Sequence, residues 1–164
     1  MGFDLYFAQS TPEQEAEQAA AVAHFNTTWQ DLFPELGPTQ GPKGNDPRLQ
    51  GARYRAASER LTAAERAVCF RLGWGQMAEA IEAMTRFGML TAPGAHVPGM
   101  GMPAEGFSCQ GHRIAAEDVQ GALAAYERNR DDAGGEEVTA GLPWWPQFIA
   151  HLSAAADHGG LDVL

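Results

Sequence analysis

The stretch "WWPQFIAHLSAAADHGGLDVL", residues 144–164, decides how this chain is read. Trp145, Phe148, Ile149, Leu152 and Ala156 recur at helical spacing beside Trp144, which predicts an amphipathic helix with one stripe to cover. Pro146 falls in the first turn, where a missing N–H does no harm, and Gly159–Gly160 end the run. "LDVL" then alternates like an edge strand. A segment serving only as a binding tail needs neither its own cap nor a terminating strand. The helix is therefore expected to close the core, with "LDVL" pairing beside "DLYF" (4–7) and one indole of the tandem left partly exposed.

That expectation organises the rest. "GFDLYFA" (2–8) alternates Phe3, Leu5 and Phe7 with Asp4, Tyr6 and Ala8, a strand period. Thr11, Pro12 and Gln14 form a helix start with a capping box, and the helix should run to about Phe33. Val22, Phe25, Trp29 and Leu32 are its expected buried stripe. Residues 34–51 hold four Pro and four Gly and read as a long loop. "GPTQGPKG" within it is no phosphate loop, because the spacing is wrong and neither Ser nor Thr follows Lys43. Residues 58–73 read as a helix with Leu61, Ala64, Val68 and Leu72 inward. Residues 74–88 read as the next, with Trp74, Met77, Ala78, Ile81 and Met84 inward and Gly88 stopping it. A second Gly/Pro-rich loop, 91–106, displays Met100 and Met102. Two short strand pieces are expected in 107–114 about a turn at Gln110–Gly111. A helix follows over 116–129 with Val119, Leu123 and Tyr126 inward, Glu117 and Asp118 complementing its N-terminal dipole. The fold expected is α+β: a mainly helical single domain over 1–164, with a small sheet that includes the N- and C-terminal strands.

Composition narrows the function classes. The chain has 164 residues, 45% hydrophobic and 20% charged, a globular profile. No apolar run approaches a bilayer span, and residues 1–10 lack the basic and apolar regions of a signal peptide, so no membrane association and a cytoplasmic location are expected. The net charge of −10 argues against a nucleic-acid partner, which calls for a basic face. Residues 1–33 carry five acids and no Lys or Arg, and residues 135–164 carry four acids and none. Residues 52–72 run the other way, with Arg53, Arg55, Arg60, Arg66 and Arg71 against only Glu59 and Glu65. Pairing with the acids of the first helix is the simpler role for that cluster; convergence of Arg53, Arg55 and Arg60 on an anion is the alternative.

Catalytic and metal chemistry finds thin support. Cys69 and Cys109 are expected as reduced thiols, and Cys109-x-x-His112 is a lone pair where structural zinc sites show two, so neither metal nor cofactor is expected. His24 and His151 read as solvated or core-edge side chains, and Ser108 lacks a nucleophile elbow. Two classes remain. One is a non-catalytic acidic protein that binds another protein, of inhibitor, immunity or regulatory type. The other is a small enzyme acting on an anionic small molecule. Arg53, Arg55, Arg60, His96 and His112 are the candidate anion- or partner-binding residues of either. A deep polar pocket under 91–113 would favour the enzyme, and a flat acidic or Met-lined surface the binder.

"MGFDLYF" (1–7), "CFRLGWGQMAEAIEAM" (69–84), "GHRIAAEDVQGALAAY" (111–126) and "WWPQFIAHLSAAADHGGLDV" (144–163) together resemble a loose group of uncharacterised bacterial and phage proteins. Members open with M-G-x-D-L, carry an F-R-L-x-x-W-G-like stretch before a helix, and end with W-x-x-F-x-x-F-L-x-x-A-x-x-G-G-F-x-V. Here Gly73 replaces a polar residue and Leu161 an aromatic one. The resemblance implies one compact domain with structural termini, and no function is attached to it.

Overall fold

A computed structural model describes residues 2–36, 41–108, 111–132 and 134–164. The alternation at the start of the chain forms strand β1 (Gly2–Phe7), burying Phe3, Leu5 and Phe7. It pairs antiparallel with β2 (Cys69–Gly73) on one side and β6 (Gly160–Val163) on the other. β5 (His112–Ala115) pairs antiparallel with β6, giving the order β2-β1-β6-β5. The fold is α+β, and its four-stranded antiparallel sheet includes the N- and C-terminal strands. β6 pairs beside "DLYF" as expected, but it is an interior strand rather than an edge, because β5 takes its other side.

Register places apolar side chains in rows across one face: Phe3 opposite Leu72, Leu5 opposite Phe70 and Val163, Phe7 opposite Leu161, and Leu161 opposite Ile114. The intervening residues carry charges that meet across strands. Arg71 donates two hydrogen bonds to the Asp4 carboxylate, at 2.6 and 3.0 Å, and Arg113 two to Asp162, both at 2.7 Å.

Residues 69–73 were expected to end a helix and instead form β2. Val68, Phe70 and Leu72 also fit a period of two, and pairing with β1 selects that period over the helical one. The helix before it starts earlier than expected, at Ala52, and ends at Arg66.

The chain divides into two compact units: residues up to Ser10 with Cys69–Leu164, and Thr11–Val68. In the larger unit, α3 (Trp74–Arg86) follows β2 directly and Gly88 stops it in a left-handed conformation. Met77, Ala80, Ala83 and Met84 are its buried face; Ala78 and Trp74 are exposed, the indole lying edge-on against Phe3 at 4.6 Å. Two two-residue strands, β3 (Leu90–Thr91) and β4 (Met102–Pro103), pair in parallel and close the base of the intervening loop. Phe107 lies in a 3₁₀ turn over Ala104–Phe107, so among the described residues of 107–114 the second expected strand piece alone is present; Cys109 and Gln110 lie outside the described residues.

α4 (Ala116–Asn129) and α6 (Trp145–Asp157) pack against each other and against β6, with the short α5 (Gly135–Thr139) between them in sequence. Trp145, Phe148 and Leu152 are buried, and Phe87, Tyr126 and Phe148 surround the Trp145 indole at 5.4–6.1 Å. Trp144 is half-buried. Gly159 and Gly160 end α6 with φ of 77° and 105°, and a Cβ on Gly160 would collide with the Ile114 carbonyl of β5. His151 is buried rather than at the core edge: its Nε2 donates to the Leu5 carbonyl at 2.9 Å and its ring stacks on Phe7 at 4.7 Å. His158 stacks on Phe7 too, also at 4.7 Å.

The smaller unit is a helical hairpin. α1 (Pro12–Leu32) begins with the expected capping box, in which Gln14 N donates to Thr11 Oγ1 and Thr11 N to Gln14 Oε1. Its buried positions are Ala21 and Thr28, while Val22 is exposed and Phe25, Trp29 and Leu32 are half-buried, one step round from the expected stripe. α2 (Ala52–Arg66) packs against it through small residues, burying Ala57 and Ala64, and Tyr54 meets the Phe25 and Trp29 rings. Small side chains at such spacing let two helices approach closely. No helix among the described residues is long and apolar enough to cross a membrane.

Candidate functional site

Two arginines of α2 face acids of α1. Arg53 donates to Asp31 at 2.8 Å, and Arg60 grips both oxygens of Glu17 at 2.9 and 3.0 Å. Those hydrogen bonds from Arg60 hold the Glu17 carboxyl below its ordinary range and raise the guanidinium. Arg55 is exposed, and among the described residues no carboxylate pairs with it. Arg53 and Arg60 engage separate acids, Asp31 and Glu17, about four helical turns apart on α1.

Arg48, which sequence reading passed over, organises the described part of the 34–51 loop. It receives Asp46 and Glu35 as ion partners at 2.8 and 2.7 Å, donates to the Leu32 carbonyl at 2.7 Å, and lies 4.4 Å over the Phe33 ring. Asp46 caps the 3₁₀ turn Pro47–Gln50 through the Arg48 amide, at 2.9 Å. Both carboxyls are held below their ordinary range, chiefly by the hydrogen bonds from Arg48.

His96 and His112 belong to the larger unit. His112 starts β5 half-buried, its ring against Gly106. His96 sits in the loop between β3 and β4 and meets the most buried acid in the protein. The Asp118 side chain, on the first turn of α4, is only 6% exposed, and its Oδ1 accepts from His96 Nε2 at 3.0 Å and from the Gly99 amide at 2.9 Å. A carboxylate accepts only, so His96 presents Nε2–H and leaves Nδ1 unprotonated in the neutral ring.

This clasp has a steric counterpart one helical turn on. A Cβ on Gly121 would collide with the Gly99 carbonyl oxygen and lie 2.9 Å from the Gly101 nitrogen. The loop backbone therefore rests directly on α4 where the helix has no side chain. Met102 N donates to Met89 O at 2.9 Å at the base, and turns close at Ala95 N to Ala92 O and Met100 N to Val97 O. Residues 92–100 are exposed throughout, and at the tip Met100 and Val97 are 68% and 55% exposed. Met102, expected beside Met100 on the surface, is fully buried, because β4 pairing turns it inward.

A second apolar surface is an open groove of about 750 Å³ along the end of α1, lined by Phe25, Trp29, Phe33 and Leu36. Among the described residues no three His, Cys, Asp or Glu side chains gather as metal ligands; Cys109 lies outside them. No protein-family model, curated protein or solved structure matches the chain.

Proposed function

We propose that this chain is a non-catalytic acidic protein-binding module, of inhibitor, immunity or regulatory type, whose contact element is the 92–100 loop. The observation that carries the reading is two large apolar side chains, Val97 and Met100, displayed at the tip of a loop fixed by a buried carboxylate. Exposed apolar groups on a preordered backbone suit docking, because little conformational entropy remains to be lost on binding. The side chains turned inward next to the loop, Met102, Phe107 and Ile114, are apolar core rather than the wall of a polar pocket. With a net charge of −10 the complementary partner presents an apolar socket with a basic rim.

A photo-crosslinking residue at Val97, with a second at exposed Glu13 as control, tests this. A single saturable adduct from position 97, lost in Met100→Asp while the melting temperature holds, supports the module. Equal labelling from both positions refutes it.

One observation favours the enzyme reading: a carboxylate orienting an imidazole is half of an acid–base site. In that reading His96 itself meets an anionic substrate. Phosphate would then raise the melting temperature beyond chloride at matched ionic strength, and His96→Gln would remove the difference.

A further inference from the structure

We propose that Met100 is a reversible oxidation site that switches the exposed loop from apolar to polar. The chemical selectivity stands on exposure alone; its consequence for binding rests on the docking reading above. Met100 is 68% exposed, whereas Met77, Met84, Met89 and Met102 are each 1% exposed or less. Peroxides transfer oxygen to a thioether they can reach, so burial protects four sulfurs and leaves this one open. In the step, the sulfur lone pair attacks a peroxide oxygen: the O–O bond breaks, an S–O bond forms, sulfur loses two electrons and the peroxide leaves as water. A dithiol reductant reverses it, releasing water and forming a disulfide.

The product matters because of where the sulfur sits. Asp118 holds the Gly99 amide and the His96 ring before Met100, and Met102 N donates to the Met89 carbonyl beyond it, so a sulfoxide at Met100 changes the displayed surface without asking the loop to refold. A thioether suits an adaptable apolar contact; a sulfoxide is polar and chiral, and would enter the same socket with its oxygen desolvated. Burial gives the opposite outcome elsewhere, since oxidising Met84 or Met102 would place that oxygen in the core.

The test is a hydrogen peroxide titration of the folded protein, read by peptide mass mapping, melting temperature and retention on a hydrophobic-interaction column. Mapping also separates Met100 from Met1, which lies outside the described residues. The first oxygen should enter Met100 at least ten times faster than any of the four buried methionines, with an unchanged melting temperature and earlier elution. Met100→Leu should keep the late elution and resist the shift, and methionine sulfoxide reductase with a dithiol should restore it. The adduct formed from position 97 should be lost in the sulfoxide and recovered on reduction. Comparable oxidation of the buried methionines, or a sulfoxide eluting and crosslinking like the reduced protein, overturns the proposal. A selective, reversible oxidation in a protein that gives no adduct even when reduced overturns the docking reading and upholds the site.

Discussion

Replacing Gly121 by alanine pits two effects of opposite sign against each other. Gly121 lies inside α4, where alanine is normally favoured over glycine by about 1 kcal/mol. Here the added methyl would overlap the Gly99 carbonyl oxygen, stand 2.6 Å from its carbon and meet the Gly101 nitrogen at 2.9 Å. All three are backbone atoms, so no rotamer change relieves the overlap and the loop must lift from the helix. Overpacking a tight contact costs about 1–3 kcal/mol, and lifting also stretches the Gly99 hydrogen bond to Asp118, worth about 1.5–3 kcal/mol for a charged acceptor. The sum is net destabilisation by about 1.5–5 kcal/mol, against the sign that helix propensity gives. Gly75→Ala is the control: it sits in α3 with open space around its Cβ, and should stabilise by up to about 1 kcal/mol. Urea unfolding gives both values, and amide exchange at Gly99 reports the local effect. A Gly121→Ala protein as stable as the control, with the Gly99 amide still protected, would refute the packing of this loop on α4.

The other predictions concern the core and its charges. Burial lowers the His151 pKa, so the folded state holds it neutral while the unfolded chain takes up a proton near the ordinary histidine value of about 6.5. Stability should therefore be fully present above about pH 6.5 and lost as pH falls through the depressed folded value. His151→Gln, which keeps a donor for the Leu5 carbonyl, should flatten that slope; an unchanged slope in pH-resolved urea melts would assign it elsewhere. Trp145→Ala should cost about 3–5 kcal/mol by cavity formation, and a loss under 1 kcal/mol would put the indole outside the core. Arg60→Gln should shift the melting temperature slightly, and less at high salt, because the Glu17 pair is exposed and screened.

Much of the fold was legible because its signals are local. Thr11, Pro12 and Gln14 specify a helix start through atoms within one turn, and the Phe3–Leu5–Phe7 alternation needs only one buried face. Glycines at 159 and 160 ended α6 for the same kind of reason. The misreadings fall where a distant partner decides. Residues 68–72 satisfy two periods, and β1 chooses between them. On α1 the aromatic residues looked like the core stripe, yet the tight positions are Ala21 and Thr28, which suit a close-packed hairpin better than rings do. Met102 reads as a loop residue until the two-residue pairing with Leu90 turns it inward.

The candidate site was half legible, and the missing half shows why. His96 was singled out as a residue type, but Asp118 passed as an acid complementing a helix dipole, a role any exposed first-turn carboxylate can fill. Only the loop folding back onto α4 distinguishes it. The signal that was available lay three residues further on. A glycine inside a strongly helical run lowers helix stability and calls for a packing reason, and Gly121 follows a loop containing "GMG" at 99–101. A bare patch on a helix and a loop of bare backbone are complementary surfaces. Together they point to main chain lying on α4, and a loop held that closely needs its amides satisfied by whatever acid the helix offers within reach. On α4 that acid is Asp118, one turn before Gly121. The buried carboxylate is thus a consequence of the glycine, and the exposed tip at Val97 and Met100 is a consequence of both.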